Sequence, residues 1–422
     1  MIFNRRYQRI LQIALPVQAG TLTYNGQAQS PVWQDFDRNK MTISGTTSSV
    51  NAGTFTATFT PKSGYCWEDG SREAKNVTWS IGKAAGSLNL SAASLSLNNI
   101  TKTSAITVTR TGDGAITATS SNASVATVSI SGTTVTVTGK DAGSVTITIK
   151  VAASTNYTAP ADKTVSVSSS VIPPLSECAP ARIQEVARSG QAPNVWGVGD
   201  KVPIKLSGTV GALTLNDAYY AFIIGFDHNS SVEGDNTIHF QFGKWSDGTD
   251  IAFRDAGYLR TYDTDSSARF VMNTTNANAG GWKDSYMRNT ICSALLNVMP
   301  PAWRNIIAFC TKYSDNTGSG SNTASCVTST SDKIWLLSEF EVFGTQKYAI
   351  NAEQNYQVQY AYYRNGNSKV KNPHTKNDYC VWWLRSTRGH TKDAFCCVDA
   401  HGSAASLNSG YSYGFAPGFM VA

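Results

Sequence analysis

A strict two-residue alternation, recurring from Thr54 to Ile149, constrains this chain more than any other feature. Thr54–Thr60 puts Phe55, Ala57 and Phe59 on one side and threonines on the other. Lys75–Ile81 repeats the pattern with Val77, Trp79 and Ile81. Ala105–Thr109, Val125–Ile130, Thr134–Thr138 and Gly143–Ile149 alternate valine, isoleucine or alanine with threonine or serine. A period of two sends one set of side chains into a core and the other into water, so each run reads as a half-buried strand. Turn pairs such as Asn25-Gly26 and Ser131-Gly132 punctuate the runs. The pattern predicts two small all-β domains, residues 15–84 and 86–168.

Ser169–Glu177 (SSVIPPLSE) then reads as a linker, because its serines and Pro173-Pro174 favour an extended, stiff segment. Residues 1–14 form a short basic-apolar head, read either as a first strand with a frayed end or as an anchor onto another subunit. From Cys178 onward tryptophan and tyrosine rise and the patterns become mixed, which predicts an α+β domain over 178–422. Tyr219–Phe226 reads as a buried strand ended by Asp227-His228-Asn229. Asp284 or Ser285 can cap a helix through Leu296, with Pro300-Pro301 as its stop. A second helical turn and a strand are expected within Ala302–Lys312, and Asp332–Ser338 is expected to be buried.

The chain of 422 residues suits about two to four domains. Charged residues are 15% of it, against roughly 25% in typical soluble domains. The net charge of +6 is spread thinly apart from Arg5, Arg6 and Arg9, with no basic stripe interleaved with aromatics, so a nucleic-acid partner is not expected. The eight cysteines show no Cys-x-x-Cys spacing of a zinc or redox site. Adjacent Cys396 and Cys397 read as one buried and one exposed thiol, and a disulfide between distant cysteines stays open. No run reaches the roughly 18 apolar residues of a membrane-spanning helix, and no membrane insertion is expected. The apolar run from Ile10 is short and interrupted by Gln12 and Pro16, a poor export signal, so the head is expected to be retained.

Catalysis finds little support. There is no phosphate loop and no supported Ser-His-Asp or Cys-His arrangement. His228 reads as part of a strand-ending turn held by side-chain hydrogen bonds rather than as a metal ligand. Asp263 and Asp265, with Asp284 further along, fall short of the six to eight oxygens that calcium needs. No catalytic residue, metal or cofactor is expected.

The last stretch, Cys380–Ala422, has a distinct organisation. Trp382-Trp383-Leu384-Arg385-Ser386 opens it and Ala416–Val421 closes it, both apolar, around a segment from Thr387 to Phe415 without helix or strand periodicity. It reads as a fixed frame holding a display surface. Trp382, Trp383, Phe419 and Val421 belong to the frame, with Phe395 and Val398 as further core positions. The residues expected on the surface are Arg388, His390, Thr391, Lys392, Asp393, Cys397, Asp399, His401, Ser403, Ser406, Leu407, Ser409, Tyr411, Tyr413 and Phe415. Tyrosine and arginine there would give much contact area for little entropy cost.

Several motifs carry resemblances. Ser124–Val128, Gly132, Val135-Thr136, Gly139 and Gly143–Ile147 resemble the bacterial Ig-like group 2 repeat, and residues 24–81 resemble other short Ig-like repeats of bacterial surface proteins, which implies sandwich spacers. Trp196-x-x-Gly199-Asp200, Ile224–Asn229, Gly281-Trp282 with Ser285, Met287 and Arg288, Asp332–Val342 and Trp382–Ser386 together resemble a domain family from gut bacteria and their phages, over about residues 178–422. That resemblance implies a C-type-lectin-like fold related to formylglycine-generating enzymes. It includes phage tail proteins and targets of diversity-generating retroelements, whose variable segment is rewritten at template adenines. Rewriting AAC-type codons never yields Lys, Gln, Glu, Met or Trp, and 387–415 contains only Lys392 from that set. Thr387 stands where the family usually has proline.

The implied protein is mainly β: two Ig-like β-sandwiches followed by a C-type-lectin-like α+β domain. Its implied function is that of a phage tail or fibre receptor-binding protein of the virion, recognising a bacterial surface receptor, protein or glycan. Other virion subunits would meet the N-terminal region, and a homo-oligomer such as a trimer would add avidity. A bacterial cell-surface adhesin is the alternative. An oxidase of the formylglycine-generating type is the catalytic alternative, but Cys292, Cys310 and Cys326 are not spaced as a pair.

Overall fold

The computed structural model describes residues 9–254, 269–375 and 379–422. The chain is mainly β and divides into two compact units, Met1–Ile172 and Pro173–Ala422. The division falls inside the predicted linker, although little of that linker is free chain. Ser169 and Ser170 complete the strand Lys163–Ser170, and Leu175 is buried in the helical turn Leu175–Glu177.

In the first unit the alternating runs become sandwich-like sheets. One four-stranded sheet joins Leu22–Thr23, Lys75–Gly82, Gly53–Pro61 and Met41–Gly45 in that order. Trp79, Ile81, Ala57 and Phe59 point into its core and Phe55 lies half-buried against Trp79. Leu11–Ile13 pairs in parallel with Tyr65–Trp67. The described end of the head is therefore a strand of this domain, and its Arg5 and Arg6 lie outside the described residues.

The second set comprises two four-stranded sheets. One contains Ser94–Leu97, Lys163–Ser170, Ala142–Val151 and Ile116–Ser120; the other contains Ala126–Ser131, Thr134–Gly139, Thr103–Thr111 and Ser87–Leu90. Ile106, Val108, Val135, Val137, Val145, Ile147 and Ile149 fill the space between them while the threonines face outward. The alternation thus converts directly into burial, at roughly 1.5–3 kcal/mol for each fully buried side chain of this kind.

The second unit is α+β. Its main sheet has five strands in the order Lys201–Val210, Leu213–Phe226, Ile238–Lys244, Gly418–Val421 and Ile307–Ala308. The last strand of the chain therefore lies between early and middle ones. The helix Pro180–Arg188 meets this C-terminus, with Gln184 Nε2 donating to the Ala422 carbonyl at 2.9 Å. Asp284 sits in the single turn Gly281–Asp284, and Ser285 Oγ accepts from the Arg288 amide before helix resumes through Val298. Pro301 does not merely stop that helix. It starts the next one, Pro301–Ile306, because its missing N–H costs nothing at a first helical position. Among the described residues no helix is long and apolar enough to cross a membrane.

Candidate recognition surface

The segment singled out in the sequence forms a three-stranded antiparallel sheet of Trp382–Thr387, Ala394–Val398 and Ala404–Asn408. The first two strands are buried along their whole length, whereas every residue of the third is half-exposed at the sheet's edge. The frame residues Trp382, Trp383, Phe419 and Val421 and the core positions Phe395 and Val398 are fully buried.

Two connections carry the display side chains. In 388–393, His390 and Lys392 are exposed, and Arg388, Thr391 and Asp393 half-exposed. The backbone here is held by residues outside the segment. The Gly389 amide donates to the Tyr348 carbonyl at 2.8 Å and the His390 amide to Gly320 at 3.1 Å. Asn278 is fully buried beneath the loop; its amide donates to the Lys392 carbonyl at 2.9 Å and its side chain to Ala394 at 3.0 Å. In 399–403, His401 and Ser403 are exposed. The Asp399 carboxylate accepts from both of their amides, at 2.9 and 2.8 Å, so it closes the turn as an Asx motif does. Ser406, Leu407 and Tyr411 are half-exposed beyond it.

Cys397, Ser409, Tyr413 and Phe415 are not on the surface. Cys397 lies in the central strand, covered on both faces like Cys396, so adjacency does not put one thiol outside. Ser409 Oγ turns inward to the carbonyls of Thr275 and Ala277. Tyr413 packs edge-on against Trp383 with ring centres 5.3 Å apart. Phe415 is enclosed by Phe270 and Phe253. Conversely, residues far upstream join the surface. A cleft beside His401 and Ala400 is lined by Thr249, Asp250, Ser368, Asn372 and Tyr379. Nothing in the sequence pattern set these positions apart, because only the fold brings them to the cleft.

Beneath the frame lies a buried charged network. Both terminal nitrogens of Arg385 donate to the Glu341 carboxylate, Nη2 to Oε1 at 2.9 Å, and Nη1 also donates to the Leu336 carbonyl at 2.9 Å. Glu341 is fixed in turn by a capping box with Ser338. Lys312 Nζ donates to Glu341 Oε1 at 3.1 Å, Glu233 Oε1 at 2.7 Å and the Tyr360 hydroxyl at 2.8 Å. Ser386 donates to Glu353 at 2.7 Å and Thr387 to Asp315 at 2.9 Å. The Arg-Ser-Thr end of the frame is thereby hydrogen-bonded residue by residue.

The electrostatics follow from burial and pairing. Burial opposes charge on Glu341, but Arg385 and Lys312 overcome it and hold the carboxyl below its ordinary range. Burial pushes Glu353 up to about 7, against the hydrogen bonds from the Asp315 amide and Ser386. Burial, reinforced by Lys312, brings His228 down to about 3. Asp227 and Asn229 do serve the turn, accepting from the Thr237 amide and donating to the Tyr356 carbonyl. His228 itself turns inward and stacks on Tyr360 at 3.6 Å.

Asp263 and Asp265 lie outside the described residues. Cys292, Cys310 and Cys326 are separate, buried, free thiols, and burial raises the first two well above the ordinary thiol range. A thiol in that state is a poor nucleophile at neutral pH. Among the described residues, two groups of three bring donor atoms close enough together to hold a metal ion: Glu233 with His239 and Cys310, and Glu233 with His228 and Glu341.

Residues 259–422 match a family model described as a domain of unknown function, DUF6273. No curated protein matches the chain. Similar solved structures include domains 4 and 5 of the S-layer protein SbsC, at 18% identity and TM-score 0.19, covering 38% of this chain and 100% of that one. Domains 4–9 of SbsC align at 15% identity and TM-score 0.20, covering 60% of this chain and 39% of that one. The D00–D0 domain of intimin aligns at 12% identity and TM-score 0.17, covering 36% of this chain and 98% of that one.

Proposed function

We propose that the C-terminal unit is a non-covalent recognition module, a C-type-lectin-like frame carrying an exchangeable surface, and that the two sandwiches before it are Ig-like spacers. The observation that carries this reading is the division of labour in 388–403. The backbone is held by Tyr348, Gly320 and Asn278, while His390, Lys392, His401 and Ser403 extend outward. Side chains in that position can change without loss of the fold, as a segment rewritten at adenines requires. Lys392 is the residue such rewriting does not produce.

The biological setting that fits best is a phage tail or fibre, with a bacterial surface receptor as the ligand and several copies acting together for avidity. The same module on a bacterial cell surface is the second reading, and the Ig-like motif of residues 124–147 favours it. Purified full-length chain should bind susceptible bacterial cells. Replacing His390, Lys392, His401 and Ser403 together by alanine should abolish that binding with the melting temperature unchanged. Undiminished binding by this variant would dismiss the display surface. Detection of the chain in purified particles rather than in cell envelopes separates the two settings.

A further inference from the structure

We propose that Glu233, His239 and Cys310 form a buried binding site for a zinc-class divalent metal ion. The three come from separate elements: the helical turn Ser230–Glu233, the central strand Ile238–Lys244 and the strand Cys310–Asp315. Their donor atoms all lie within 4.8 Å of one another, and all three side chains are buried.

The second observation is what these atoms lack. Glu233 Oε2 and His239 Nε2 are fully buried and have no hydrogen-bond partner, and neither does His228 Nε2. Buried polar atoms without partners are rare and costly, and two of them facing each other, Glu233 Oε2 and His239 Nε2, call for an occupant. Lys312 is not that occupant. Its three N–H groups are used on Glu233 Oε1, Glu341 Oε1 and the Tyr360 hydroxyl, which leaves Glu233 Oε2 and the Nε2 atoms of His239 and His228 unserved.

The geometry and chemistry suit zinc. Glu233 Oε2 and His239 Nε2 are 3.6 Å apart. Tetrahedral zinc with bonds of about 2.0–2.2 Å sets its ligands at roughly 3.3–3.6 Å. His239 Nδ1 lies 3.1 Å from the Tyr360 hydroxyl, the outer contact that orients a metal-bound imidazole. A thiolate, an imidazole and one carboxylate oxygen select zinc-like ions over calcium or magnesium, which take oxygen donors. On binding, the Cys310 S–H proton leaves to solvent as the metal–sulfur bond forms. The new thiolate offsets part of the added positive charge beside Lys312. His228, which with Glu233 and Glu341 forms a second group within 4.8 Å, stands beside the three ligands. Such an ion would tie the Ser230–Glu233 turn to the sheet behind the Glu341–Arg385 pair.

The test uses the purified full-length chain, stripped by chelator and titrated with Zn²⁺ alone, then with Co²⁺ as an optical probe. Stoichiometric Zn²⁺ uptake, a raised melting temperature and a thiolate-to-cobalt charge-transfer band are expected. Cys310→Ser should lose the band and most of the thermal shift, and His239→Gln should lower Zn²⁺ affinity. Cys310→Ser nearly preserves shape, so it decides the matter even if His239→Gln fails to fold. Absence of Zn²⁺ uptake by the wild type, or uptake and Co²⁺ spectra unchanged in Cys310→Ser, would overturn the assignment. Neither readout depends on receptor binding.

Discussion

Arg385 and Glu341 face each other through two parallel hydrogen bonds, and both side chains are almost wholly buried. The pair joins the strand that opens the display segment to the capped helix Glu339–Phe343. A planar guanidinium against a carboxylate fixes direction as well as distance, which a lysine there could not do. Arg385→Met should destabilise the second unit by about 3–5 kcal/mol, because Glu341 is left charged and buried with only Lys312 to compensate. Arg385→Met with Glu341→Gln should recover part of that loss. Urea unfolding of both variants measures the difference, and equal losses would mean that packing rather than pairing dominates.

Trp383 and Tyr413 form the second link between frame and display. The Trp383 indole donates to the Phe270 carbonyl at 3.0 Å, and its ring meets Tyr413 edge-on. Trp383→Ala should cost about 3–5 kcal/mol through the cavity and the orphaned carbonyl. Tyr413→Ala should also lower the melting temperature clearly, whereas His401→Ala, on the exposed turn, should leave it unchanged. Thermal melts of the three variants separate frame from surface; an unaltered melt for Tyr413→Ala would put that ring back among the display residues.

Glu353 gives the frame a pH dependence. Its carboxyl accepts from the Asp315 amide, Ser386 and Gln357, yet burial raises it to about 7. Between its ordinary value of 4.5 and about 7 the folded protein keeps a proton that the unfolded chain has released. The contribution of Glu353 to stability is therefore complete below 4.5 and declines as pH rises through 7. Glu353→Gln imitates the protonated acid and removes this slope. The stability of the wild type relative to Glu353→Gln should fall as pH is raised from 4.5 to 8, read by urea unfolding at each pH. A constant difference would show that Glu353 is ionised throughout.

Some of this arrangement can be read from the chain and some cannot. The sandwich strands are legible at Trp79, Ile81, Ile106 and Val108, since a half-buried strand forces a period of two on its sequence. The frame tryptophans are legible because such large apolar side chains, side by side, have nowhere to go but a core. Tyr413 and Phe415 are not. They sit in irregular chain, and their burial is decided by Trp383, Phe270 and Phe253 packing over them from elsewhere. The charged core is hidden for a related reason. Lys312, Glu341 and Glu233 each look like surface residues, and the partners that make their burial tolerable are dozens of positions away. His228 falls between: its neighbours Asp227 and Asn229 close the expected turn, and the same turn swings the imidazole inward.

Asp399 separates contact from positioning within the display surface. It belongs to the segment expected to touch a receptor, but its carboxylate is engaged with the amides of His401 and Ser403. Gly402, at φ 82°, completes the tight turn in a conformation that favours glycine. Asp399→Asn keeps an acceptor oxygen in place and removes the charge; Asp399→Ala removes both. If Asp399 only shapes the turn, Asp399→Asn should bind cells as the wild type does, while Asp399→Ala should lose affinity because His401 and Ser403 are no longer held. If Asp399 meets the receptor through its charge, both variants should lose binding equally. Cell-binding titrations of the two, alongside His401→Ala, distinguish a side chain that makes the surface from one that places it.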